Sequence, residues 1–156
     1  MALQETFPSW GWWIKNGATT LYENWDIDSE SDISLNHIMF GEIGAWFYKG
    51  LGGIFPDPEN PGFKNIILKP NFVSYLDHFE ASHNCPNGKV VSAWKKTDNQ
   101  IIYTVSIPAN SSATLYLKSD LVNEKTKKTE GVKSMGDDNG YSLLELKSGE
   151  YSFTLK

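Results

Sequence analysis

The stretch GATTLYENWD, residues 17–26, sets one glutamate, Glu23, between Tyr22 and Trp25, directly behind PSWGWWIKN with its three tryptophans. A carboxylate flanked by flat apolar rings suits two chemistries. It can accept hydrogen bonds from backbone N–H groups as a structural acid, or it can act as acid or base on a sugar whose C–H faces stack on the rings. Glycoside hydrolysis typically needs two carboxyls, one to protonate the leaving oxygen and one to activate water or attack. The acids that follow, Asp26, Asp28 and Glu30, read as solvated loop or capping residues. Glu23 therefore stands as half of a mechanism.

The histidines add one further candidate. His37 lies in SLNHIMF, at the start of an apolar-periodic run, where it could donate to a ligand hydroxyl or cap its own neighbours. His78 and Glu80 fall on one face of an alternating segment, LDHFEASHN, but no further ligand cluster joins them or His83, so the segment reads as a surface strand and no metal or cofactor site is expected. No Gly-x-Ser-x-Gly elbow and no phosphate-cradling glycine loop is present; GLGGI follows a helical pattern instead of opening one. Cys85 has neither a disulfide partner nor a metal-ligand partner.

Charge narrows the partners. The chain has 156 residues and a formal net charge of -5, and all 14 of its basic residues are lysine. Without arginine the usual bidentate phosphate anchor is missing, and the lysines form no stripe apart from NEKTKK, which argues against nucleic acid. No apolar run approaches the ~18 residues of a membrane helix. The N-terminus carries no signal-peptide pattern, and ALQET, helical in composition but uncapped, is expected to begin inside a larger assembly.

The elements that must hold these residues change character near residue 60. Five of the six tryptophans, all but Trp94, lie within the first 46 residues. Such density serves either a ligand or a packed helical core, and Trp10, Trp12, Trp13 and Trp25 are open to both readings. Residues 31–54 predict an amphipathic helix with Leu35, Met39, Ile43, Trp46 or Phe47 and Leu51 on one face, N-capped by Ser31, Asp32 or Ser34. A second helix is predicted over ALQETFPSWGWWIKNG, interrupted at Pro8 and Gly11 and ending at Gly17. After Pro61 the period becomes two. Ile101, Tyr103, Val105 and Ile107 share one face, as do Ala113, Leu115 and Leu117, and Tyr151, Phe153 and Leu155. Seven or eight short strands with turns at Pro86-Asn87-Gly88, Asn139-Gly140 and Ser148-Gly149 predict an antiparallel sandwich, with residues 119–139 its least ordered part.

Taken together, PSWGWWIKNGATTLYENWD, SLNHIMFGEIGAWFYKGLGGI and PGFKNIILKP resemble the C-terminal end of bacterial α-L-rhamnosidases of glycoside hydrolase family 78. PNGKVVSAWKK, IYTVSIPANSSATLYLK and GEYSFTLK continue the resemblance over nearly the whole chain, apart from residues 119–139. The resemblance implies an α+β chain: residues 1–60 as the last helices of an incomplete (α/α)6 catalytic barrel, and residues 61–156 as the C-terminal antiparallel β-sandwich. It implies an inverting hydrolase in which Glu23 is the general base, His37 contacts the sugar and Trp25 lines its pocket. The general acid would lie in earlier barrel helices outside this chain, which alone would be inactive. The implied partners are a rhamnose-containing glycoside or polysaccharide, the N-terminal barrel of the same polypeptide and, through exposed barrel helices, a second copy. The competing expectation is a carbohydrate-binding or structural sandwich module with exposed aromatics such as Tyr103, Trp94 or Tyr116. A barrel glycosidase acting on another sugar remains open too, because architecture does not fix the substrate.

Overall fold

The computed structural model describes residues 4–27 and 33–156. It divides into two compact units, residues 1–45 and 46–156. In the first, helix α1 spans Trp10–Lys15 and is started by Ser9, whose Oγ accepts the Trp12 N–H at 2.9 Å while donating to the Gln4 carbonyl at 2.6 Å. Gly11, expected to interrupt this helix, lies inside it. Any Cβ there would stand 2.2 Å from the Gln4 oxygen, so glycine is what lets the incoming chain close on the helix. The helix ends as expected at Gly17, whose φ of +86° suits glycine. Residues 4–8 are not helical.

The long helix predicted over residues 31–54 is shorter and irregular. Its course is a 3-10 turn, Met39–Glu42, an α-helical turn α2, Ile43–Trp46, and a π turn, Phe47–Leu51. Of the predicted caps, Ser31 and Asp32 lie outside the described residues and Ser34 precedes the helical turns, as does Leu35 of the predicted apolar stripe. Residues 34–37 pair with residues 20–23, as described below. A change from three- to four- to five-residue hydrogen bonding also breaks the 3.6-residue stripe. Leu51 is accordingly buried at 2% exposure, whereas Met39 is 57% exposed.

The second unit holds two sheets. Among the described residues nine strands form, against seven or eight expected: β1 Ile54–Pro56, β2 Asn65–Leu68, β3 His78–Cys85, β4 Gly88–Lys96, β5 Ile101–Ile107, β6 Ser112–Lys118, β7 Val132–Asp138, β8 Tyr141–Leu146 and β9 Gly149–Leu155. One sheet runs β1-β2-β6-β8-β7 and the other β3-β4-β5-β9. All pairings are antiparallel except β2 with β6, which is parallel. The inner faces meet in one core that includes Ile66, Leu115 and Leu144 from one sheet and Val90, Tyr103 and Phe153 from the other, the arrangement of a sandwich. The predicted faces of β5, β6 and β9 are the buried ones, with Ile101 half-buried at the rim. Asn139 and Gly140, both at positive φ, turn β7 into β8. Residues 119–139, expected to be loose, hold the short helix α3, Glu124–Lys127, capped by Asn123, and all of β7.

A buried polar pair joins the π turn to this core. Ser92, fully buried, donates its hydroxyl to the Gly52 carbonyl at 2.6 Å and lies 3.0 Å from the Tyr103 hydroxyl. Ser92→Ala removes both bonds and leaves two buried polar groups without their partner, so it is expected to cost about 1–3 kcal/mol in urea unfolding. A loss near zero would mean that water replaces the serine. Burial pushes the Tyr103 hydroxyl well above the ordinary tyrosine pKa, opposed in part by the Ser92 hydrogen bond. In the unfolded chain this group ionises near pH ~10, whereas folded it stays protonated. Above that pH the unfolded state binds fewer protons, so stability falls as pH rises. Unfolding midpoints are expected to drop between about pH 10 and about pH 11.5, and to drop less steeply in Tyr103→Phe. Equal slopes would refute a raised Tyr103 pKa.

Candidate active site

Glu23 is positioned by pairing, not by a helix. Its backbone N–H donates to the Ser34 carbonyl at 2.9 Å, and its own Oε2 accepts the Ser34 N–H at 2.9 Å. Two residues earlier the Leu21 carbonyl accepts the His37 N–H at 2.7 Å, and Thr20 Oγ1 donates to the Leu35 carbonyl. Residues 20–23 and 34–37 thus lie side by side, and the segments carrying Glu23 and His37 are fastened to each other. Glu23 is exposed and His37 half-buried. His37, predicted in the first turn of a helix, precedes the first helical turn at Met39. The structural-acid role and a chemical role are compatible here: one carboxylate oxygen is committed to Ser34, and the exposed group keeps further acceptor capacity.

Behind this pair lies a cluster of rings. Trp13, 2% exposed, packs against Trp25 at 4.5 Å between centroids, and Trp25 packs against Phe40 at 4.3 Å. Trp10 meets Trp25 edge-on at 5.0 Å, and Tyr22 lies 5.7 Å from Trp13. The indole N–H groups stay within the cluster: Trp13 Nε1 donates to the Trp25 carbonyl at 3.0 Å and Trp10 Nε1 to the Phe40 carbonyl at 3.3 Å. Trp10, Trp13 and Trp25 therefore form a small local core under the Glu23 segment, with Trp25 half-buried at its edge. Trp12 packs instead on Phe7. Among the described residues of this unit the large exposed apolar side chains are not tryptophans; they are Phe7, Ile14, Leu35, Ile38 and Met39.

The remaining candidates separate. Asp26 follows the cluster, with its N–H on Asn24 Oδ1 at 3.4 Å, and Asp28 and Glu30 lie outside the described residues. His83 stacks on Phe63 at 4.6 Å. His78 and Glu80 lie on the exposed face of β3, and among the described residues no three His, Cys, Asp or Glu side chains converge as metal ligands would. No helix among those residues is long and apolar enough to cross a membrane. Of the aromatics the sandwich-module reading would expose, Trp94 and Tyr103 are buried at 2% and 0%, and Tyr116 on β6 is half-buried. Alternation places Trp94 and Tyr103 on the inner face of β4 and β5. Ser34 is the partner that sequence reasoning missed, because nothing in residue type or spacing links it to Glu23.

The chain has clear counterparts among known proteins. Residues 53–132 match the model of the bacterial alpha-L-rhamnosidase C-terminal domain, and residues 1–51 match the model of the bacterial alpha-L-rhamnosidase six-hairpin glycosidase domain. The chain belongs to the bacterial α-L-rhamnosidase family. It is 32% identical to an alpha-L-rhamnosidase of Alteromonas sp. (strain LOR), over 99% of the chain and 17% of that protein. Among solved structures, the alpha-L-rhamnosidase of Dictyoglumus thermophilum superposes with a TM-score of 0.82 at 32% identity, over 99% of the chain and 18% of its own. That of Streptomyces avermitilis, solved with L-rhamnose, gives 0.77 at 26% identity, over 99% and 15%. The chain thus spans less than a fifth of the length of these relatives.

The Glu23–Ser34 contact can be tested without any substrate. Glu23→Ala should raise the exchange rate of the Ser34 amide several-fold in hydrogen–deuterium exchange, while Glu23→Gln, which keeps an acceptor oxygen, should leave it close to wild type. Equal exchange in all three proteins would show that the carboxylate does not hold that amide.

Proposed function

We propose that this chain is the base-bearing end of an inverting α-L-rhamnosidase of glycoside hydrolase family 78 that hydrolyses terminal α-L-rhamnosides. The observation that carries the reading is an exposed Glu23 carboxylate, fixed by Ser34 and backed by rings, in a chain of the α-L-rhamnosidase family. Glu23 accepts the proton of a water attacking the anomeric carbon from the face opposite the leaving group. Its Oε2 bond to Ser34 orients the carboxylate, so little reorganisation accompanies proton transfer. His37, on the paired segment, contacts sugar hydroxyls, and the uncovered edge of Trp25 forms part of the pocket wall. The general acid belongs to barrel helices that this chain does not supply, and with them the residues that complete the sugar pocket. The exposed side chains of Phe7, Ile14, Leu35, Ile38 and Met39 are the face those helices cover, and in their absence that face favours self-association.

The 156-residue chain alone is expected to release no rhamnose from an aryl α-L-rhamnoside. In the complete polypeptide, Glu23→Gln is expected to lower kcat about 10²–10⁴-fold with the fold retained. Turnover by the isolated chain, or a folded Glu23→Gln enzyme with unchanged kcat, would remove Glu23 from the mechanism. An active polypeptide with no action on rhamnosides would move the assignment to another sugar.

A further inference from the structure

A second set of sugar-competent side chains lies on the sandwich, away from Glu23 in the sequence. Two shallow depressions of about 470 and 520 Å³ share Phe79 and Glu80 of β3. Both volumes fall in the roughly 300–1,000 Å³ range of small-molecule clefts. The first is walled by Phe47 and Tyr48 of the π turn, and Tyr48 is 47% exposed. The second crosses the outer face of the four-stranded sheet, where register sets Glu80 opposite Ala93 and Ala93 opposite Thr104. The small Ala93 side chain between two longer ones makes the dip. On the neighbouring row His78 stands opposite Lys95.

We infer that this groove binds a neutral oligosaccharide through the Tyr48 ring at one end and hydrogen-bonding side chains at the other. Tyr48, 47% exposed, presents a flat face on which a sugar C–H face stacks. Glu80, Thr104 and Lys95 offer acceptors and donors to hydroxyls. Opposite charges on Glu80 and Lys95 in one depression leave little net field, which favours an uncharged ligand over an anion or a cation. A peptide strand fits less well. Strand addition would need the edge of β3, against which the π turn packs, whereas the second depression runs across β3, β4 and β5. The groove is thus a holding site for the polymer or oligosaccharide to which the substrate is attached, separate from the reacting sugar. Only the choice of a rhamnose-bearing ligand rests on the functional reading above.

The test is a ¹⁵N chemical-shift titration of this chain with an α-L-rhamnosyl-terminated trisaccharide. Saturable shifts are expected at the amides of Phe79, Glu80, Ala93 and Thr104, unchanged in Glu23→Gln. Tyr48→Ala and Glu80→Gln are each expected to weaken binding about tenfold or more. Ala93→Phe, which fills the dip from the outer face, does the same without touching the core-side packing. The absence of saturable shifts at these amides overturns the inference. So do shifts confined to residues 20–25 and 34–37 that Glu23→Gln abolishes, a result that leaves the functional reading standing. Saturable shifts with an extended peptide but not with the trisaccharide also overturn it. Groove shifts in a protein whose complete polypeptide fails to cleave rhamnosides support the groove and sink the functional reading alone.

Discussion

The second unit is organised around one buried hydroxyl. Ser92 Oγ reaches the Gly52 carbonyl at 2.6 Å and the Tyr103 hydroxyl at 3.0 Å, deep between the sheets. A helical C-terminus leaves carbonyls without intrahelical partners, and a carbonyl that ends inside a hydrophobic core must find a donor there. Ser92 is that donor, and it fixes where the π turn stops. The next residue, Gly53, turns with φ +68°, and a Cβ on it would stand 2.1 Å from the Lys69 carbonyl carbon. Only glycine can carry the chain through that gap. Lys69 then donates to the Gly53 carbonyl at 2.8 Å, and β1 can pair with β2 as the first strand of its sheet.

This accounts for the main difference between the sequence reading and the fold. The run GLGGI has helix-stopping composition, and the helix predicted to end at residue 54 does stop there, but Ile54 itself is the first residue of a strand. Its strand character comes from pairing with Leu68, a tertiary fact absent from its own neighbourhood. β7 was hidden for a related reason. Val132–Asp138 has almost no buried side chain, so no alternation marks it; it is a strand because its backbone pairs with β8, with an irregularity between Ser134 and Gly136. Where a strand buries one whole face, as β5, β6 and β9 do, the period of two is a direct print of the core and the reading holds. The run predicted as a helix over 31–54 is helical only from Met39 to Leu51 and α-helical only over Ile43–Trp46, because the polar backbone of residues 34–37 is taken by residues 20–23 before a helix can begin.

The sequence nominates site residues by kind and not by geometry. An acid among rings nominates Glu23, and a histidine ahead of an apolar run nominates His37. What joins them is a set of backbone bonds between two segments, and backbone pairing of irregular segments leaves no signature in residue type. The tryptophans illustrate the same limit. Density demanded either a ligand or a core, because each indole N–H needs an acceptor if buried. Trp13 and Trp10 find theirs in the carbonyls of Trp25 and Phe40, groups no composition argument could nominate.

The two units use their aromatic side chains differently, and the difference lies in exposure, not number. In the first unit Trp13 is spent on a local core that supports a loop, and Trp25 has rings on several sides. In the second, Trp94 and Tyr103 are consumed by the sandwich, while Tyr48 remains 47% exposed beside a carboxylate. A ring whose face is already covered gains little from a sugar, since the apolar area has left water on folding. A ring that keeps an open face beside hydrogen-bonding groups still has that area to lose. Stacking capacity is therefore set by what the core leaves uncovered, which is why the sequence's richest aromatic stretch contributes chiefly support to Glu23, and a sparser one carries the groove.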